Sequence, residues 1–156
     1  APTELLSTGL KRLLDVRRVV GLRNPAHSVV KLMQPTAGPC LVIASYTHPE
    51  YAQSMAATFE LTATSALLSR GLEGESVADP RRTAQVDGFI GGRRFVMQEQ
   101  LPGTLGEVEG LPKEIDIDTT ANYTRRVLTG ALPLPVAIAR QVEHIKQLAQ
   151  QLADGL

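Results

Sequence analysis

Residues 40–69 read CLVIASYTHPEYAQSMAATFELTATSALLS, and the fold turns on them. Cys40–Ser45 is a short apolar run bounded by Gly38-Pro39, the pattern of a buried strand. Residues 49–60 read as a helix with Pro49 at its start, where the fixed φ of proline suits the first turn. Ser65–Ser69 is a second short strand. A strand, a helix and a strand in this order predict parallel pairing through a right-handed crossover.

Upstream, residues 2–20 place Leu5, Leu6, Leu10, Leu13, Leu14 and Val16 at helical spacing, with Gly21 as the stop. Lys11, Asp15 and Arg18 share one face of that helix, a solvated charge pattern. A second helix is expected from Asn24 as N-cap, with Pro25 at the first helical position, ending before Pro35. Downstream, residues 83–98 flank Gly91-Gly92 and predict a hairpin. Residues 99–118, rich in Gly, Pro and acids, read as an extended connection. Thr119 or Thr120 is expected to cap a helix that ends at Gly130, and Pro135 to start the last one. In the last helix Ile138, Val142, Ile145, Ala149 and Leu152 form an apolar stripe. Arg140, His144, Gln147 and Gln151 form a polar stripe. The expectation is one α/β domain over residues 1–156, with a mixed sheet flanked by helices and a β-hairpin. The sheet is small for so many helices, so the chain reads as the later half of a longer one.

The core is aliphatic, because Trp is absent and only 4% of residues are aromatic. One cysteine, Cys40, excludes an internal disulfide framework and a Cys-rich zinc site. No secretory leader and no apolar run of about 20 residues is present, so a cytoplasmic setting without membrane contact is expected. Net charge is zero but uneven: +2 over residues 1–60, +1 over 61–98, −5 over 99–118 and +2 over 119–156. His27, His48 and His144 lack metal-ligand spacing, and no nucleophile elbow or phosphate-cradling glycine motif occurs.

Two segments suit anions. Arg23–Pro35, RNPAHSVVKLMQP, combines a helix start with Arg23, Asn24, His27 and Lys31, which suits a phosphate. Residues 70–82, RGLEGESVADPRR, form a loop framed by Arg70, Arg81 and Arg82. By composition its acids are equally suited to a metal.

LLDVRRVVGLRNPAHSVVKLMQP (13–35), ASYTHPEY (44–51) and RGLEGESVADPRR together resemble the C-terminal α/β domain of the anthranilate phosphoribosyltransferase superfamily, glycosyl transferase family 3. They resemble most closely its divergent nucleic-acid-binding, YbiB-type branch. The resemblance implies part of the nucleoside phosphorylase/phosphoribosyltransferase catalytic-domain fold. It also implies a homodimer, formed through an N-terminal helical domain absent from this sequence, that binds DNA and RNA alike along a basic groove. Arg23 matches an arginine that helps the transferases bind their aromatic acid. Their Gly-Pro-Leu turn is replaced by Val30-Lys31-Leu32. Their adjacent Asp-Glu pair, which holds magnesium on phosphoribosyl pyrophosphate, falls on Ser76-Val77.

Valine supplies no hard oxygen and serine only a neutral one, so the magnesium site is expected to be lost. Glu73 and Glu75 are the nearest remaining carboxylates. The expected function is nucleic-acid binding through phosphates by Arg23, Asn24, His27, Lys31, Arg70, Arg81 and Arg82, with no catalytic residue, metal or cofactor. The alternative is a phosphoribosyltransferase of altered substrate that uses magnesium and phosphoribosyl pyrophosphate. Stacking on bases is expected only from Tyr46 and Tyr51.

Overall fold

The computed structural model describes residues 2–72 and 75–155. Glu73 and Gly74, named above, lie outside the described residues. Four strands make one sheet: β1 (Leu41–Tyr46), β2 (Ser65–Arg70), β3 (Val86–Ile90) and β4 (Arg93–Gln98), adjacent in chain order. β1 and β2 are parallel, with Leu41 opposite Ser65 and Tyr46 opposite Arg70. β2–β3 and β3–β4 are antiparallel, and an irregularity at Val86/Asp87 shifts the register of the last pair. The α/β class, the parallel pair and the hairpin agree with the sequence reading.

Strand alternation assigns the two faces of the sheet. On one face Val42, Ala44, Ala66, Leu68 and Phe89 pack with Ala56 and Phe59 of α4 (Pro49–Leu61). Phe59 and Phe89 meet edge to face with centroids 5.3 Å apart. On the other face Leu67 and Val86 pack with Leu148 of α6 (Val136–Asp154). Phe59, Phe89, Leu67, Leu68 and Leu148 are the largest fully buried side chains, and each contributes about 1.5–3 kcal/mol by leaving water. The hairpin turn needs its glycines: Gly91 and Gly92 have φ of 55° and 80°. A Cβ on Gly92 would also come within 2.9 Å of the Glu60 carbonyl at the end of α4.

Four helical expectations need correction. The first helix is two, α1 (Thr3–Leu6) and α2 (Thr8–Val20). Ser7 is extended between them, and its Oγ accepts from the Leu10 N–H at 3.2 Å as an N-cap. The second helix is short: α3 (Ala26–Val29) runs into a 3₁₀ turn at Val30–Leu32. The cap of α5 (Ile117–Leu128) is Asp116, whose Oδ1 accepts from the Thr119 N–H at 2.9 Å, not Thr119 or Thr120. The buried face of α6 is rotated from the expected stripe. Gln141 and Leu148 are buried and His144 is half-buried, whereas Val142 is 43% exposed. Gln141 tolerates burial because both ends of its amide are hydrogen-bonded, as described below. On α2, Asp15 pairs with Lys11 and lies 3.8 Å from Arg18, as the charge spacing implied. No helix among the described residues is long and apolar enough to cross a membrane.

Candidate phosphate-binding site

The connection between β2 and β3 carries the site. Arg70 is the exposed last residue of β2. Gly71 follows it, and its N–H donates to the Tyr46 carbonyl at 2.9 Å, carrying the β1–β2 pairing one step further. Only glycine fits there: a Cβ would lie 2.8 Å from the Ser45 side chain. The chain is then pinned twice. Ser76 Oγ donates to the Ile43 carbonyl of β1 at 3.0 Å. The Gln141 amide of α6 accepts from the Ala78 N–H at 3.0 Å and donates to the Ser76 carbonyl at 3.1 Å.

Asp79 organises the next turn. Its side chain is 7% exposed. Oδ1 accepts from the Arg81 backbone N–H at 3.0 Å, an Asx turn that the intervening proline favours. The Arg81 guanidinium grips the same carboxylate in a fork, Nε to Oδ1 at 3.0 Å and Nη2 to Oδ2 at 3.1 Å. Arg82 Nε sits 3.5 Å from Oδ2, an ion-pair contact. Burial pushes the Asp79 carboxyl upward. The Arg81 side-chain and backbone hydrogen bonds, with the charges of Arg81 and Arg82, outweigh that, so it titrates below the ordinary carboxylate value.

Arg70, Arg81 and Arg82 therefore line one open cleft of about 510 Å³, together with Gly71, Glu75 and Asp79. Arg81 and Arg82 also line a second cleft of about 470 Å³. Its other walls include residues 101–105, Gln98, Arg140 and the first residues of α6. The 101–105 segment is tied to the same turn, with Leu101 N–H donating to the Thr83 carbonyl at 3.1 Å and Leu105 N–H to the Arg81 carbonyl at 2.9 Å.

The α3 segment is separate from both clefts. Among the described residues, neither wall includes Arg23, Asn24, His27 or Lys31. Asn24 and His27 are committed to local structure. Asn24 Nδ2 donates to the Leu13 carbonyl at 2.6 Å, Asn24 Oδ1 accepts from the Ala26 N–H at 3.0 Å, and the Asn24 N–H donates to His27 Nδ1 at 3.2 Å. The N–H groups of His27 and Ser28 donate to the carbonyls of Asn24 and Pro25. The start of α3 thus spends its backbone donors internally and keeps Arg23 and Lys31 as exposed cations. The tyrosines also divide. Tyr46 packs against the core, where burial pushes its hydroxyl pKa upward, so it is withdrawn from stacking. Tyr51 is half exposed and meets His48 edge to face at 5.9 Å.

The two positions where the resemblance would put the acidic pair, Ser76 and Val77, offer no carboxylate. Ser76 Oγ is engaged with β1, Val77 has no donor, and the Asp79 carboxylate is taken by two arginines. Among the described residues no three His, Cys, Asp or Glu side chains are grouped so as to hold a metal ion. Sequence reasoning found the three arginines but missed Asp79, Gln141 and Arg140. The Asp-Pro-Arg spacing was a usable signal for Asp79. Gln141 lies 63 residues from its partner Ala78 and left none.

No protein-family model matches the chain. It is similar to the protein named "Uncharacterized protein YbiB" of Escherichia coli (strain K12), 37% identical over 135 residues that cover 85% of this chain and 41% of that protein. The chain thus spans about two-fifths of the curated relative it matches, and the similarity supports a YbiB-like protein.

Proposed function

We propose that the chain binds nucleic acid through its phosphates, without reading sequence, on a phosphoribosyltransferase-like scaffold that has given up transfer. The observation that carries this reading is the convergence of Arg70, Arg81 and Arg82 on one cleft. Planar guanidiniums suit phosphate oxygens, and such contacts supply affinity and salt dependence rather than base discrimination. The engagement of Ser76 and Asp79 supports the loss of the diphosphate chemistry. Arg23 and Lys31 enter as outlying phosphate contacts, and Asn24 and His27 as the residues that shape their turn.

The test is a titration of DNA binding at several salt concentrations, for the parent chain and for Arg70→Gln/Arg82→Gln. Loss of two phosphate contacts should lower the slope of log affinity against log salt by about 1.4–1.8. An unchanged slope removes this cleft from the interface. Magnesium-dependent binding of phosphoribosyl pyrophosphate, seen by calorimetry, would favour the transferase reading instead.

A further inference from the structure

We infer that His144 is a positioning residue for the phosphate cleft: through one buried water it fixes the plane of the Arg82 guanidinium. Its effect on binding rests on the phosphate-binding reading above; the link between the two side chains does not. Four observations carry it. The first concerns Gln98. Its Nε2 donates to the Ala84 carbonyl at 2.7 Å, which fixes the amide with Oε1 at its other corner. His144 Nε2 lies 3.5 Å from that Oε1. An amide oxygen only accepts, so neutral His144 carries its proton on Nε2 and leaves Nδ1 as a bare acceptor. Second, His144 Nδ1 is buried and has no hydrogen-bond partner among the described residues.

Third, Arg82 Nε is buried and lacks a hydrogen-bond partner in the same way. Its 3.5 Å contact with Asp79 Oδ2 is an ion pair that misses hydrogen-bond alignment. One sealed donor and one sealed acceptor are thus both unserved, an arrangement that is rare unless water joins them. Fourth, Arg82 and His144 line one small cavity, together with Arg70, Asp79, Gln98 and Gln141. At about 20 Å³ it has room for a single water, which needs roughly 10–15 Å³. That water accepts from Arg82 Nε–H and donates to His144 Nδ1, and the Asp79 carboxylate can take its second hydrogen. The Arg82 side chain is 39% exposed and lines the open phosphate cleft as well. Anchoring Nε therefore presents the outer nitrogens in a fixed plane, and less side-chain freedom is lost when a phosphate binds.

The experiment uses the 156-residue chain, labelled for nitrogen NMR. In the parent the Arg82 Nε–H signal, assigned by its loss in Arg82→Gln, should exchange slowly with solvent and show a cross-peak to a long-lived water. In His144→Leu the same signal should exchange about tenfold faster. A DNA duplex is then titrated at low salt. His144→Leu should weaken binding about threefold in the parent and in Arg70→Gln, and should add nothing in Arg82→Gln. Fast exchange of Arg82 Nε–H in the parent, or equal weakening in all three backgrounds, overturns the inference. The first of these outcomes needs no variant, so a folding defect in His144→Leu, checked by melting, cannot hide it. No binding of the duplex by the parent overturns the phosphate reading, and the exchange measurement then decides the link between His144 and Arg82 by itself.

Discussion

Two buried aspartates hold arginines in this molecule, and they are used differently. Asp87 is on β3, 5% exposed. It takes Arg94 Nη2 at 2.8 Å on one oxygen and Gln85 Nε2 at 2.9 Å on the other, tying the two hairpin strands together. Asp79 is in a loop, lines the cleft that Arg70 shares, and takes Arg81, Arg82 and a backbone N–H. The first carboxylate has one cationic partner and serves the sheet. The second has two and aims them at solvent-filled space. A buried acid beside arginines is therefore no mark of function by itself. What matters is whether the arginines it holds face a cleft.

The largest expected effect falls on the support of the Asp79 clasp. Gln141→Ala leaves the Ser76 carbonyl and the Ala78 N–H without their partners and opens space under α6. It should cost about 3 kcal/mol in urea denaturation. A loss below about 1 kcal/mol would mean that the loop holds its shape without α6. Next come the two clasps in direct comparison. Arg94→Met leaves Asp87 with only the Gln85 amide and should cost about 2 kcal/mol. That is less than for a fully buried pair, because the Arg94 side chain is 43% exposed. It should leave the salt slope of DNA binding untouched. Arg81→Met should destabilise less, since Arg82 and the residue 81 backbone N–H still serve Asp79, yet it should lower the slope by about 0.7–0.9. If Arg94→Met changes the slope as much, the distinction between the clasps fails.

The smallest effect is in acid. Asp79 titrates below its ordinary value of 3.8 because the arginines favour its charged form. A depressed carboxyl contributes stability above the unfolded value and loses it as pH falls through the folded one. The stability gap between the parent and Asp79→Asn should therefore be constant above about pH 5 and close below about pH 4. A gap that widens on acidification would contradict the assignment.

The sheet was legible because its signals are local. Apolar runs with Gly-Pro, Gly-Gly and Pro49 at their edges mark β1, α4 and the hairpin, and Leu67, Leu68 and Phe89 pack where alternation puts them. The helical flanks were harder to read, because α1, α2 and α5 have no fully buried residue and their limits depend on single capping contacts from Ser7 and Asp116. The rotation of α6 was hidden for another reason. Hydrophobic spacing favoured Val142, but tertiary hydrogen bonding gave the buried place to Gln141. The site was half legible: Arg70, Arg81 and Arg82 stood out as charges, while Asp79 and Gln141 act through geometry that composition does not show.

The Gln141 amide has a kinetic consequence. Besides the Ser76 bond to β1, residues 76 and 78 are hydrogen-bonded to a helix more than 60 positions further along the chain. Docking of α6 and ordering of the cleft loop should therefore be coupled. Any polyanion that settles on the loop should slow hydrogen exchange along α6, a helix it need not touch, while the already sealed amides of β2 keep their rates.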